Sequence, residues 1–442
     1  VTALARLCRP FSRFAASGLV GVGLVLAQPA AATTVQRVVS PGGIEAWLVE
    51  EHAVPMIAVD FSFDGGSAQD PAGREGLADL MSSLLDEGAG DLPSQAFQAK
   101  LEDLSVELSF ADRRDRFDGE MKTLSENRDA AFELLGLSVN APRFDAEAVD
   151  RMRAQAIAGL RRAEKNPDAI AGRRLSEALF PGHPYGRPSE GTEATLAPIL
   201  PADLKDAHRR LFVKRGLKVA VVGDIDAATL APLLDRVFGG LPESGPRTPI
   251  ADVAPAIGGR IDVTLPIPQA VIRLGGVGLK RDDPDFLAAY VMNHILGGGS
   301  FSSWLYREVR EKRGLAYSVT TGLAPLVHTG LFLGAVGTRA EAAEETLALI
   351  RTEIARMRDV GPSEAELASA KAFLIGSYPL RFDTSDKIAG ALLAIMVDGL
   401  GIDWIDRRNA AIEAVGLDDV RRVARRLFSS EPKVVVVGPK GS

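Results

Sequence analysis

Near the start of the chain, Ile44-Glu45-Ala46-Trp47-Leu48-Val49-Glu50 and Met56-Ile57-Ala58-Val59-Asp60-Phe61-Ser62-Phe63 are short apolar runs rich in β-branched and aromatic residues. They read as paired strands. Behind them Leu77, Leu80, Met81, Leu84 and Leu85 recur at i, i+3, i+4, i+7 and i+8, which predicts an amphipathic helix. The same order of signals returns later. Ala270-Val271-Ile272-Arg273-Leu274-Gly275-Gly276-Val277 reads as a strand, and Phe286, Leu287, Tyr290, Val291 and Ile295 read as a helix stopped by Gly297-Gly298-Gly299.

Two stretches also end alike. Asp203-Leu204, Arg209-Arg210-Leu211-Phe212 and Lys218-Val219-Ala220-Val221-Val222-Gly223 close the first. Asp419-Val420, Arg425-Arg426-Leu427-Phe428 and Lys433-Val434-Val435-Val436-Val437-Gly438 close the second, at a spacing constant to within one residue. A helix-then-strand ending repeated at fixed spacing indicates an internal duplication. The expected fold class is α+β, with two homologous α/β-sandwich halves, each an antiparallel-rich sheet covered by helices. Residues 239–259 are rich in Pro and Gly and lack a hydrophobic period, as a linker would. The expected organisation is 1–32, 33–238, the linker 239–259, and 260–442. The linker is expected to be exposed and soft, letting the halves separate.

Composition narrows the function classes. A chain of 442 residues with 46% apolar and 25% charged residues has the make-up of a folded multi-domain protein. A formal charge of −7 offers no general field for nucleic acid. Arg6, Arg9 and Arg13 precede an apolar run from about Ala15 to Ala27 and the small-residue stretch Gln28-Pro29-Ala30-Ala31-Ala32. That run is shorter than the ~20 residues of a spanning helix, so residues 1–32 read as a secretory signal peptide. Its cleavage would remove Cys8, the only cysteine, leaving a thiol-free periplasmic protein with no stable membrane insertion.

Three stretches carry candidate chemistry. One is Gly76-Leu77-Ala78-Asp79-Leu80-Met81-Ser82-Ser83; the second is Leu296-Gly297-Gly298-Gly299-Ser300-Phe301-Ser302-Ser303; the third is Arg307-Glu308-Val309-Arg310-Glu311-Lys312-Arg313-Gly314-Leu315-Ala316-Tyr317. They resemble the pitrilysin-type zinc peptidases, the inverted-motif enzymes related to insulin-degrading enzyme and the mitochondrial processing peptidase. The resemblance implies a duplicated LuxS/metallohydrolase-like fold. In that family the first stretch carries His-x-x-Glu-His, which aims two imidazoles at one Zn²⁺ and holds a glutamate beside the bound water. Here the three positions are Asp79, Ser82 and Ser83. The family's third ligand is a Glu on a later helix, where this chain reads Ala158-Gly159-Leu160-Arg161. The polar stripe Asp79, Ser82, Ser83 and Asp86 has two readings: the solvated face of a helix, or a vestigial site lining a chamber. None of the five histidines has metal-pair spacing. His183 reads as part of a structural turn, His294 as a cap or core residue, and His52, His208 and His328 as surface residues. No metal ligand set is expected in this chain.

The third stretch predicts a helix capped by Ser302 or Ser303 and ended by Gly314. A strand from Leu315 to Thr321 should follow, with Leu315, Tyr317, Val319 and Thr321 on one face. The resemblance implies that Arg310 and Tyr317 reach a zinc-bearing partner and stabilise the oxyanion of peptide hydrolysis, a role for N–H and O–H donors. Without the resemblance, Arg310 would pair with Glu308 or Glu311 and Tyr317 would pack. Gly297, Gly298, Gly299, Ser300 and Phe301 are candidate substrate-binding residues, in a mobile loop or one that a peptide backbone approaches closely. The expected function is that of a zinc-free, substrate-binding subunit of a heterodimeric periplasmic zinc metallopeptidase. Its partner would be a homologous subunit holding the zinc, and its substrates peptides. The alternatives are a non-catalytic scaffold or assembly protein on the same fold, and a stand-alone peptide-binding module.

Overall fold

The computed structural model describes residues 34–441, so the signal-like segment lies outside the described residues. In chain order the strands are β1 (Gln36–Val39), β2 (Glu45–Glu50), β3 (Met56–Asp64), β4 (Gly88–Ala89), β5 (Leu92–Pro93), β6 (Glu107–Asp112), β7 (Arg116–Leu124), β8 (Lys218–Gly223), β9 (Arg260–Thr264), β10 (Gln269–Val277), β11 (Ala316–Pro325), β12 (Gly330–Arg339) and β13 (Lys433–Gly438). One sheet has the order β1-β2-β8-β3-β7-β6, the other β11-β12-β10-β13-β9, and β4 pairs with β5 in a short ribbon. In the first sheet β2 and β8 are parallel and every other pair is antiparallel. In the second, β9 and β13 are parallel and the rest antiparallel. Position by position, β2, β8, β3, β7 and β6 match β9, β13, β10, β12 and β11. The duplication read from the matched chain endings is thus a duplication of topology, and β1 is the addition to the first copy.

The two copies are not independent. In β13, Val434 and Val436 enter the core of the second half, while Val435 and Val437 face a helix of the first half. That helix, Pro167–Leu179, lays Ala171, Leu175 and Leu179 against them. Gly275 in β10 lets it sit close; a Cβ there would lie 2.6 Å from Leu179 Cδ1. The reverse exchange covers the first sheet. In β8, Val219 and Val221 face their own core, while Ala220 and Val222 meet helix Ser385–Val397 through Ala389, Leu392, Leu393 and Met396. Both valine runs are apolar on both faces because both faces are covered. Burying one such leucine is worth roughly 1.5–3 kcal/mol.

Polar contacts add a second tie. The Tyr185 hydroxyl lies 2.7 Å from both carboxylate oxygens of Asp115 and accepts the His328 backbone N–H at 3.1 Å. Asp115 also accepts the Val327 N–H. His183 accepts the Tyr185 N–H through Nδ1 and faces the Ala251 carbonyl through Nε2, the structural-turn role expected of it.

Residues 239–259 hold no strand or helix beyond the last helix of the first half, and much of the stretch is exposed, but it is tied to its surroundings. Its backbone bonds Lys214, Arg215, Leu179 and His328, and Thr248 exchanges two hydrogen bonds with Gln69. The segment expected to be free of both halves is thus hydrogen-bonded to each of them.

Two local readings also change. The helix predicted through Leu85 is regular only over Leu77–Ser82, although Leu77, Leu80, Met81, Leu84 and Leu85 are all buried. The Asp70 carboxylate starts it, accepting the N–H groups of Gly76, Leu77 and Ala78 at 3.0–3.1 Å. His208, expected at the surface, stacks on Phe212 at 4.4 Å between ring centroids. Its Nε2 donates to the Val139 carbonyl, and burial pushes its pKa down to about 4. His328 is half-buried beside Asp252, His52 is exposed beside Asp224, and His294 is buried against Phe373.

Two outcomes are expected. Halves cut within 239–259 and expressed separately would each leave an apolar sheet face bare. Neither should unfold cooperatively alone, and the co-expressed pair should. Cooperative unfolding of an isolated half by calorimetry would contradict the exchange. For His208, the unfolded ring takes a proton near pH 6.5 and the folded ring only near pH 4. Its contribution is therefore complete above about pH 6.5 and falls as the pH drops toward 4, by on the order of 3 kcal/mol. Denaturant titrations from pH 7 to 4 should show that loss, and His208→Gln should flatten it.

Candidate functional site

The segment behind the triple glycine contains an extra residue per turn. Tyr306–Glu311 is π-helical, and the Lys312 N–H reaches back five residues to Arg307. Such turns re-aim side chains and are frequent at functional sites. Ser303 starts the segment, its hydroxyl accepting the Tyr306 N–H, and Gly314 at φ +61° ends it, as the sequence predicted.

The widened turn brings Tyr306 beneath Arg310. The guanidinium carbon lies 4.9 Å from the Tyr306 ring centroid and 4.5 Å from that of Tyr317. Phe301 meets Tyr306 edge-on at 4.9 Å, extending the stack. A cation between two rings is held in place by their quadrupoles, at about 0.5–1 kcal/mol per exposed contact. The stack includes both sequence-predicted residues of the pair, and Tyr306 is the member that sequence reasoning missed. Its signal was an aromatic four residues before Arg310 and five after Phe301.

Tyr317 does not lie on the face predicted for it. Strand pairing runs Ala316 to Thr338 and then Ser318 to Gly337, so Tyr317 is the extra residue of a β-bulge. Leu315, Val319 and Thr321 are buried, while Tyr317 is 81% exposed. The alternative in which Arg310 pairs with Glu308 is also absent. The Glu308 carboxylate is taken by Lys312 at 2.6 Å and Arg313 at 2.8 Å. Among the described residues Arg310 has no carboxylate partner, so its N–H donors stay open to a ligand.

The glycines before this stack are required by packing. A Cβ on Gly297 would sit 2.5 Å from Thr321 Oγ1, and one on Gly299 would sit 2.6 Å from the His294 carbonyl oxygen. The segment His294–Gly298 is a second π-helical turn and Ser300–Ser302 a 3-10 turn, in place of the mobile loop expected. Gly297 is buried, while Gly298, Ser300 and Phe301 lie at the surface.

The metal-equivalent positions make a different place. Ser82 Oγ donates to the Asp79 carbonyl and Ser83 Oγ to the Leu80 carbonyl, so both hydroxyls turn back on their own helix. Asp79 lines a cavity of about 550 Å³ shared with Gly159, Leu160 and Ala163. Burial, and then the charge of Glu190, push its carboxyl up to about 6. Arg161 turns to Glu193 at 2.6 Å. A zinc site needs three or four N, S or carboxylate ligands converging on one point. Glu190, Arg114, Arg173 and Arg187 share the cavity wall, but the metal-equivalent positions offer one carboxylate, Asp79, and two serines turned back on their own helix, so the residues present do not fit zinc. Among the described residues no group of three or more His, Cys, Asp or Glu could hold a metal. Asp79 accordingly lines a chamber, while the serines are spent on local bonds.

Comparison with known proteins agrees with this geometry. A model described as insulinase, peptidase family M16, matches residues 47–193, and one described as the peptidase M16 inactive domain matches 199–374. A Helicobacter pylori protein named a non-peptidase homolog is 26% identical over 367 residues, covering 82% of this chain and 84% of its own. An uncharacterized zinc protease of Mycobacterium bovis is 28% identical over 425 residues, covering 94% of this chain and 96% of its own. The crystal structure of a peptidase M16 inactive domain from Pseudomonas fluorescens matches with a TM-score of 0.87 at 29% identity, covering 92% of this chain and 98% of that one. A protease from Helicobacter pylori shares the fold, with a TM-score of 0.81 at 19% identity over 92% of this chain and all of that one. The two family models span most of the chain, and the duplicated sheet is that of the solved relatives: this protein belongs to peptidase family M16, as a member whose metal-equivalent positions hold no zinc ligand set.

Proposed function

We propose that this chain is the zinc-free, substrate-binding subunit of a heterodimeric metallopeptidase whose other subunit carries the His-x-x-Glu-His helix. The observation that carries the reading is the open guanidinium of Arg310, held between Tyr306 and the exposed Tyr317. Arg310 and Tyr317 are donors without an internal acceptor, suited to bind a peptide carbonyl and the oxyanion that develops from it. Ser300 and Phe301, exposed beside the stack, are proposed to contact the peptide as well. The basic start and apolar run of residues 1–32 support export, so the pair is proposed to act in the periplasm; fractionation of cells making the full chain tests this.

Three outcomes follow from the reading. Purified without chelator, the chain alone should carry far less than one zinc per molecule and cleave no peptide. Metal analysis showing one tightly held Zn²⁺ per chain would overturn it. In the reconstituted pair, Arg310→Ala and Tyr317→Phe should each lower turnover of a quenched peptide, on the order of 10²–10³-fold for loss of an oxyanion donor. Co-elution of the two subunits should be unchanged. Normal turnover in both variants would shift the assignment to a scaffold or assembly protein on the same fold.

A further inference from the structure

We infer that a second cavity, on the first sheet and away from the Arg310 stack, is a binding site for an organic cation, the guanidinium or ammonium group of a basic side chain. It measures about 820 Å³ and is walled by Asp60, Asp86, Glu102, Glu107, Glu120 and Asp386. Lys122 is the one cation in that wall. None of the six carboxylates makes an ion pair with any Lys or Arg among the described residues. Elsewhere carboxylates such as Asp118, Glu193, Asp283 and Glu366 are paired with arginine.

Asp60 is the observation that turns an acidic wall into a site. It interrupts the apolar run of β3 and points to the face opposite Phe61. Glu120 on β7 lies directly across the ladder from it. Helix Ser385–Val397 closes over it, so that a Cβ on Gly390 would sit 3.2 Å from Asp60 Oδ2. The residue is only 7% exposed, yet no donor among the described residues bonds its carboxylate. A buried carboxylate without a partner is costly. Burial, and then the charges of Glu120, Asp386 and Asp118, hold its pKa up at about 7. Asp118 itself is occupied by Ser62, Arg113 and Arg116. The unsatisfied acceptor is therefore Asp60, and it opens to the cavity.

The shape and chemistry select the ligand class. Among the described residues no three carboxylates converge closely enough to hold a metal ion. Leu101, Val106 and Leu108 supply an apolar wall beside the carboxylates. A lysine or arginine side chain presents the matching pattern, a methylene stem and a charged head. The volume falls in the range of ordinary ligand sites. A free polyamine shares this chemistry, so the test separates it from a polypeptide.

The site is read on the isolated chain and needs no partner subunit, so its failure and that of the proposed peptidase role appear in different assays. Calorimetric titration would use a short neutral peptide containing two arginines, the same peptide with citrulline in their place, and spermine. The arginine peptide should bind and the citrulline peptide should not. Asp60→Asn and Glu120→Gln should each weaken binding by about 10- to 100-fold, the worth of a charge-assisted hydrogen bond. Asp60→Asn should unfold at the same temperature as the parent or higher, because it removes an unpaired buried charge. That result separates a recognition role from a structural one. Tighter binding of spermine than of the arginine peptide assigns the site to free polyamines and keeps the cation chemistry. Equal binding of the citrulline and arginine peptides, no binding of any of the three, or unchanged affinity in both variants would overturn the inference.

Discussion

Each sheet of this protein is covered on one face by helices of its own half and on the other by a helix lent from the opposite half. Helix Pro167–Leu179 closes the second sheet and helix Ser385–Val397 closes the first. The exchange follows from the valine runs of β8 and β13, which are apolar on both faces and must be covered twice. Once the helices are crossed, the halves cannot part without baring both clusters. The Tyr185–Asp115–His328 contact and the pinned segment 239–259 then close the remaining seam. Parting the halves of this chain would therefore cost the burial of both clusters.

That packing bears on the candidate site. Strand β11 is an edge strand, ordered through its ladder with β12. A π-helical turn and a β-bulge on either side of Gly314 turn Arg310 and Tyr317 outward together. Both irregularities insert one residue into a regular element, and each changes the direction of one side chain. The aromatic rings then hold the guanidinium without consuming its N–H donors, a state that an internal salt bridge would have ended. Glu308, the nearest rival, is held by Lys312 and Arg313.

The two cavities divide the remaining chemistry. Where the zinc peptidases of the family gather imidazoles and carboxylates, this chain has the single carboxylate of Asp79 and two serines bonded to their own helix. Loss of the metal site is thus a local repacking that leaves the fold unchanged. The first sheet, by contrast, keeps a carboxylate on an apolar strand and closes a foreign helix over it. The helix exchange that stabilises the fold is also what buries Asp60.

The sequence alone determined what depends on near neighbours. The period of apolar residues gave β2, β3, β10 and the helices that follow them. The matched chain endings gave the duplication, and the residues at 79, 82 and 83 showed that the metal-equivalent positions lack the imidazoles of a zinc site. Arg310 and Tyr317 were legible because their flanking motif is contiguous. Asp60 was visible as a charge in an apolar run, but nothing local said whether a partner would meet it. Tertiary structure decided everything that rests on distant contacts: which helix covers which sheet, the burial of His208 against Phe212, and the stitching of a segment that composition marked as soft. It also decided the direction of Tyr317. Strict alternation places that residue on the buried face of the strand, and only pairing with β12 introduces the bulge that reverses it. Periodicity is a property of one segment, whereas register, bulges and helix exchange are properties of two segments meeting, and a linear pattern carries no term for the second.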